Sequence, residues 1–449
     1  MTHLIDHRCC DSRPPTPSSL AVVVASLALG WACLVPASAL RAQIVYANPI
    51  PNEFKSTTSA ITAGQLALIN SFVDAEIANL KKGNPENERA ARKALEDGAI
   101  SVGGNPSSVF LAAYATALDP KLSQLESSNQ PLPVRLNAAI ALARVASHMD
   151  NGLLRNAAVA FTLDKSEPVA LWGVKSARYL EPHLLETGQS KPLDNAIISA
   201  VAWFSNDAAI VEEAYEDFTS DLILGGTVVA ARGPPAVDPL VKLMNTRAAL
   251  YHAAQTAPAV GDGPDLPAEP QADNRAFSFI SRPELWRVAK PSQQQMMCRA
   301  GIQLIDEIIP LIDATPARVP NVDPPELLRR EDLLAVVNLA GTAFKVIGSL
   351  TNEGAGGPIT TAATLLTSAK VDNQTPGATI KQGLSAVEAA LTAANLMAPP
   401  VPLPTVQVKP PTTAPTPPTT APTRAGTTAP VSRPVPTPTA SGAPIGVPR

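Results

Sequence analysis

Between Ile61 and Ala398 apolar residues recur at steps of three and four, and a stretch with that spacing buries one continuous face only as α-helix. Val134, Ala138, Leu142 and Val145 step by four, four and three. Val169, Gly173, Ala177, Leu180 and Leu184 repeat the pattern, as do Leu193, Ile197, Val201 and Phe204. Strands would call for alternating β-branched and aromatic residues, but aromatics make up only 4% of the chain. Many of the small positions are Ala, the strongest helix former, and runs such as Ala138, Ala139, Ala141 and Ala143 let helices approach closely.

Punctuation divides this stretch. Asn84-Pro85 and Asn105-Pro106 place a capping side chain before a Pro, whose missing N–H costs nothing in a first turn. Ser281-Arg-Pro-Glu284 and Asp323-Pro-Pro-Glu326 add the carboxylate of a capping box. The expected helices lie near 61–82, 86–100, 107–118, 133–148, 152–163, 168–187, 193–205, 207–223 and 235–255. After a Gly/Pro/Asp-rich linker at 256–275, a second helical region (276–397) is expected to carry helices near 291–313, 324–352, 358–370 and 377–397.

The two ends obey different rules. Arg8 and Arg13 precede an uncharged run from Ser18 to Val35 and then Pro36-Ala37-Ser38-Ala39, the grammar of an export signal over residues 1–42, cut after Ala39 or Ala42. An uncleaved anchor is the alternative, because Leu20 to Val35 falls just short of the roughly 17–25 residues that span a bilayer. Export removes Cys9, Cys10 and Cys33 and leaves Cys298 without an internal disulfide partner. Residues 43–60 read as an extended lead into a helical domain at 61–255. At the other end, residues 398–449 contain no aromatic and no acidic residue, are dense in Pro, and carry Pro-Pro-Thr-Thr-Ala-Pro-Thr twice, at 410–416 and 417–423. Such a tail lacks the apolar surface to fold and is expected to be disordered.

Charge narrows the partners. The body from 43 to 397 holds 28 basic and 37 acidic residues, a net of −9, which excludes the basic face that nucleic acid requires. The tail is basic, with Lys409, Arg424, Arg433 and Arg449, and reads as a soluble spacer more readily than as a weak contact with anionic wall polymers or headgroups.

The segment Pro133 to Val145 resembles the second helix of a HEAT-type repeat, and Asp164 to Leu180 is similar. Pro133-Val134 and Pro168-Val169 are offset by 35 residues, within the range of two-helix units. The likeness covers roughly 107–205; the next similar start, Pro192-Leu193, comes only 24 residues later. It implies an all-α, irregular antiparallel helical solenoid, with Val and Ala packed between helix pairs and Arg135 helping to cap a neighbouring turn. Ala170 departs from that last position.

Chemistry leaves few marks. No Gly-x-Ser-x-Gly elbow, His-Glu-x-x-His or paired-Cys spacing occurs. His148, His183 and His252 each stand alone near an expected helix end, where the helix dipole favours them. Glu213, Asp217 and Asp221 step by four, which reads as a solvated face more readily than as a cation site. Cys298 beside Met296-Met297 reads as a buried thiol, Trp172, Trp203 and Trp286 as core, and Gly103-Gly104 and Gly354 to Gly357 as helix-ending turns without the Lys-Ser/Thr of a phosphate loop. No catalytic, metal or cofactor residue is therefore assigned. The sequence points to an exported, non-enzymatic helical-repeat protein that binds a protein partner in the cell envelope, without a stable membrane span once the signal is cut. An enzyme with a dispersed carboxylate site and a self-associating envelope component are the alternatives.

Overall fold

The structure, a computed structural model, describes residues 49–101, 104–127, 130–149, 151–257, 263–319, 323, 327–351, 357–368 and 376–406. The expected signal, the Pro-Pro-Thr-Thr-Ala-Pro-Thr repeats and Gly354 to Gly356 lie outside them. Among the described residues there is no strand, only an isolated bridge between Ser101 and Gly104.

The helices are α1 (Asn52–Lys55), α2 (Ala63–Lys81), α3 (Pro85–Gly98), α4 (Ser108–Ser127), α5 (Leu132–Ala146), α6 (Arg155–Thr162), α7 (Glu167–Thr187), α8 (Lys191–Trp203), α9 (Ala208–Thr219), α10 (Asp221–Leu224) and α11 (Val229–Thr256). They continue as α12 (Asp273–Ile280), α13 (Pro283–Val288), α14 (Pro291–Ala314), α15 (Arg330–Leu350), α16 (Pro358–Thr367) and α17 (Gly377–Ala393). The all-helical expectation holds for the described chain.

Two rows of helices organise the fold. In one, α2, α4, α6, α8, α11, α14 and α17 each touch the next; in the other, α3, α5, α7, α9, α12, α15 and α16 do the same. Pairs consecutive in the chain join the rows, α2 to α3, α4 to α5, α6 to α7 and α8 to α9, then α14 to α15 and α16 to α17. The apolar stripes read from the sequence face inward: Val134, Ala138, Leu142 and Val145 of α5, and Val169, Ala177, Leu180 and Leu184 of α7, are all buried. Each larger side chain so placed contributes about 1.5–3 kcal/mol. α15 is long and apolar enough to cross a membrane by length and composition, and Leu333, Val337, Phe344 and Ile347 on it are buried within the protein.

Close approach is built from small residues. A Cβ on Gly173 of α7 would meet the Thr162 backbone nitrogen of α6 at 2.3 Å, and one on Gly341 of α15 would meet the Leu366 Cβ of α16 at 2.8 Å. Gly188 ends α7 at φ +68°, and the Gln189 N–H reaches back to the Leu184 carbonyl at 2.8 Å, closing the turn that only Gly adopts without strain. Several helix starts are capped from a neighbouring helix. Asp119 of α4 accepts the Ala157 N–H of α6 at 2.8 Å, and Asp313 of α14 accepts the Gly377 N–H of α17 at 3.0 Å.

Several boundaries differ from expectation. Asn84 caps α3 as read, accepting Glu86 N–H at 2.9 Å, but Ser107 rather than Asn105 caps α4. The Asp323 box does not open α15; Asp323 instead binds the Arg329 guanidinium at 2.9 Å, and the helix starts at Arg330. α11 starts at Val229 and runs through Pro234, Pro235 and Pro239, with the Pro234 carbonyl accepting from Gln293 of α14 at 2.7 Å. α12 and α13 fall where no helix is expected from the sequence, because helices this short show barely two turns of periodicity.

The Pro-rich segment also begins in contact with the fold. Gln295, Arg299 and Gln303, spaced four apart on α14, donate to the carbonyls of Asn395 (3.0 Å), Ala398 (2.8 Å) and Val401 (2.7 Å). Leu396, Met397, Leu403 and Val406 pack against the core. The first residues of the expected tail, 398–406, thus form a strap along α14.

Candidate functional site

The residues singled out in the sequence are scattered. His148 is exposed beyond the end of α5, and His183 is partly exposed near the end of α7. His252 is not alone: its Nδ1 lies 3.0 Å from Glu307 of α14, which also accepts from Gln255 at 2.8 Å. Cys298 is fully buried, and burial pushes its thiol up to about 12, so it stays protonated and unreactive. Trp286 is buried, with its indole N–H on the Ile280 carbonyl. Trp172 is partly exposed with the Lys175 ammonium 5.3 Å from its ring centre, and Trp203 is exposed, against the expectation of core. Gly104 forms the isolated bridge, and Gly357 opens α16 rather than closing a helix.

The acidic residues at steps of four do not form one solvated face. Ser220, extended at ψ 158°, ends α9, so Asp221 belongs to α10, where it pairs with Arg282 at 3.0 Å. Glu213 pairs with Lys175 of α7 at 3.4 Å, while Asp217 is completely buried. Neither Asp217 carboxyl oxygen has a hydrogen-bond partner, and burial, followed by the Glu213 charge, holds its pKa well above the ordinary 3.8.

Asp217 belongs with a second buried acid. Glu181 of α7 is also wholly buried, neither of its carboxyl oxygens has a hydrogen-bond partner, and its pKa is raised well above 4.5, first by desolvation and then by neighbouring Asp194 of α8, with Asp217 adding repulsion. Asp194 in turn accepts the Ser190 hydroxyl at 2.9 Å. Three helices thus bring carboxyls together where water is excluded, an environment that perturbs acids as catalytic sites do. Among the described residues no group of three or more His, Cys, Asp or Glu side chains is placed to hold a metal ion.

A different buried cluster ties α9, α11 and α12. Arg247 and Asp273, both fully buried, are joined by Nε–Oδ1 at 3.0 Å and Nη2–Oδ2 at 3.1 Å. The Tyr215 and Tyr251 hydroxyls donate to the same carboxylate at 2.5 and 2.6 Å. Arg247 also donates to the Ala268 carbonyl at 2.9 Å, beside Glu269, whose φ of 51° is unusual for a residue with a side chain. Every lone pair of Asp273 is thereby engaged. The cluster is a structural tie: losing one partner of such a buried pair costs about 3–5 kcal/mol.

The outward side of the α3 row carries charge that links one helix to the next. Arg144 of α5 pairs with Glu96 of α3 at 2.9 Å, Arg178 of α7 with Glu216 of α9 at 2.9 Å, and Arg275 of α12 with both Glu216 and Glu212. Arg135 of α5 reaches Asp164 at 2.9 Å, whose other oxygen accepts the Ser166 N–H ahead of α7. Exposed pairs contribute little to stability, typically under about 1 kcal/mol each, but they fix the positions of long side chains over successive helices.

Clefts open on the surface among the described residues. One of about 570 Å³ lies among Pro283, Trp286, Arg287, Gln294, Leu350 and Leu396. A second, of about 340 Å³, is lined by Ala254, Gln255, Pro264, Pro310, Leu311 and Ala314. The third, of about 320 Å³, is lined by Arg89, Arg92, Lys93, Glu96 and Asp97 of α3 with Arg144 of α5. None of the three joins a nucleophile to a general base.

No family model matches this sequence, and no curated protein matches it.

Proposed function

We propose that this chain is an exported protein whose helical pairs form an irregular HEAT-like solenoid from α2 to α17, and that it works as a scaffold holding a protein partner in the cell envelope. In this reading residues 1–42 are a leader, the helical regions at 61–255 and 276–397 form the body, and the Pro/Thr-rich tail beyond the strap is a disordered spacer. The observation that carries the proposal is the two-row order of the helices, in which each helix touches the next of its own row and the partner of its pair. That is how repeat units that cannot bury their apolar faces singly share a continuous core. The face offered to a partner is the outward side of α5, α7, α9 and α12, where Lys175 is held by Glu213, Arg178 and Arg275 are held by Glu216 and Glu212, and Tyr179 is exposed.

The test is affinity capture from an envelope extract on the chain, compared with the double variant Lys175→Glu/Arg178→Glu and with Lys121→Glu, which changes the other row. A protein retained by the chain and by Lys121→Glu but lost with the double variant supports the scaffold and its face. Equal retention by all three, or none by any, counts against it.

One observation favours a second reading, an enzyme with dispersed carboxylates: the buried Glu181, Asp194 and Asp217, with the pKa raised at Glu181 and Asp217. An activity abolished by Glu181→Gln in a folded protein would move the assignment to that site.

A further inference from the structure

We propose that the cleft between α3 and α5 is a binding site for a phosphate group, held by the guanidinium groups of Arg89 and Arg92 with Arg144 and Lys93 at its rim. The inference is independent of any protein partner. Its walls carry four cations, Arg89, Arg92, Lys93 and Arg144, against two carboxylates, Glu96 and Asp97, in a body whose overall charge is negative. The two carboxylates are already engaged: Glu96 accepts Arg144 at 2.9 Å, and Asp97 accepts Lys93 at 2.7 Å. Arg89 has no polar partner among the described residues, and Arg92 has only the Asn137 carbonyl, at 3.0 Å. Neither Arg89 nor Arg92 forms an ion pair, and the carboxylate that acts on Arg92, Glu96, is already paired with Arg144.

The arrangement is held from behind. Glu88, buried, accepts the Asn137 amide at 2.7 Å, and the same amide donates to the Pro133 carbonyl at 2.9 Å. Asn137 is thus oriented with its oxygen toward Arg92, and Arg92 is turned into the cleft by a chain that begins in the core. Both walls are helices, which hold a binding constellation more firmly than loops. Burial, then the charges of Arg144 and Arg89, lower the pKa of Arg92, and the Glu96 carboxylate offsets only part of this.

The excess of two charges selects the ligand class. A phosphate monoester carries close to two negative charges near neutral pH and offers oxygens that match paired guanidinium forks. A lone carboxylate would leave one cation unmatched. The cleft volume of about 320 Å³ leaves space for the first atoms of whatever carries the phosphate. The source is either a free phosphorylated small molecule or the phosphate of a lipid headgroup.

Thermal melts and isothermal titration of the full chain decide it, with inorganic phosphate and glycerol 3-phosphate compared with chloride at equal ionic strength, and with phosphatidylcholine vesicles prepared with and without phosphatidic acid. The expected result is saturable binding of phosphate with a raised melting temperature, weakened at least about tenfold in Arg89→Gln/Arg92→Gln and unchanged in Lys121→Gln. The melt of the double variant in chloride serves as its folding control. Tighter binding of glycerol 3-phosphate in solution assigns a soluble ligand; retention only on vesicles containing phosphatidic acid assigns the headgroup. The proposal is overturned if chloride gives the same shift as phosphate, if the double variant binds phosphate as well as the parent, or if poly-glutamate binds at the cleft while phosphate does not.

Discussion

Glu181 shows what one side chain does when folding puts it out of reach of water. Its pKa is displaced upward mainly by desolvation and further by Asp194, and that of Asp217 is displaced upward mainly by desolvation as well, so both carboxyls keep protons in the folded chain that the unfolded chain releases above their ordinary values of 4.5 and 3.8. A raised folded pKa gives stability that is complete below the unfolded value and is lost as pH climbs toward the folded one. Urea melts at a series of pH values are therefore expected to show stability declining as pH rises above the ordinary carboxylate range. In Glu181→Gln the decline should be shallower. Asp119, raised by burial as well, keeps part of the slope in place. A parent protein whose stability rises with pH above that range would contradict the account. Asp217 was misread as solvated because its spacing from Glu213 and Asp221 drew attention away from a better signal: it lies seven residues after Ile210 and three after Ala214, on the buried stripe of α9.

Elements meet here at distances that only small residues allow, and α15 against α16 is the clearest case. Gly341 and Gly348, seven apart on α15, face Leu366 and Thr367, and Ile359 and Thr360, so that any Cβ would press on side chain and backbone together. Gly341→Ala is expected to destabilise the protein by about 1–3 kcal/mol through overpacking. Gly64→Ala in α2, where a Cβ meets nothing within 4 Å, is expected to stabilise it by up to about 1 kcal/mol through helix propensity. Thermal melts of the two variants should thus move in opposite directions; if both rise, the close packing of α15 on α16 is wrong. At this scale the sequence was most informative. The stripes of α5, α7 and α8 and the limits of α14 were legible because each runs for three turns or more with one apolar face. α12 and α13 were not, since short helices amid Pro, Asp and Arg leave no period to read. The cleft between α3 and α5 was equally hidden: nothing in the sequence singles out Arg89 and Arg92, and only folding places Arg144 and Asn137 beside them.

For the molecule as a whole, the order of the rows was beyond the sequence, because the 35-residue offset is followed at once by one of 24 and no constant period remains to be counted. Packing does not need a constant period. It needs only that each new helix present an apolar face to the two before it, which α11 and α14 do across the linker at 256–275 by packing on one another. The strap on α14 adds contacts of another kind, and a chain ending at Ala394 is expected to be less stable than one ending at Val406 by about 1–3 kcal/mol, a fall of a few degrees in melting temperature. Equal melting of the two truncations would mean that the Gln295, Arg299 and Gln303 ladder adds nothing. The row order also bears on how the chain reaches this state. Nearly every helix finds its partners within a few elements of itself, so the entropy of loop closure stays small and structure can grow from the N-terminal pair onward as the chain is synthesised. Gln295 and Asn395, 100 residues apart, make a long-range bond that must wait for α15, α16 and α17. Docking of the strap is then the final step of assembly, and a chain halted short of it would be folded but unfastened.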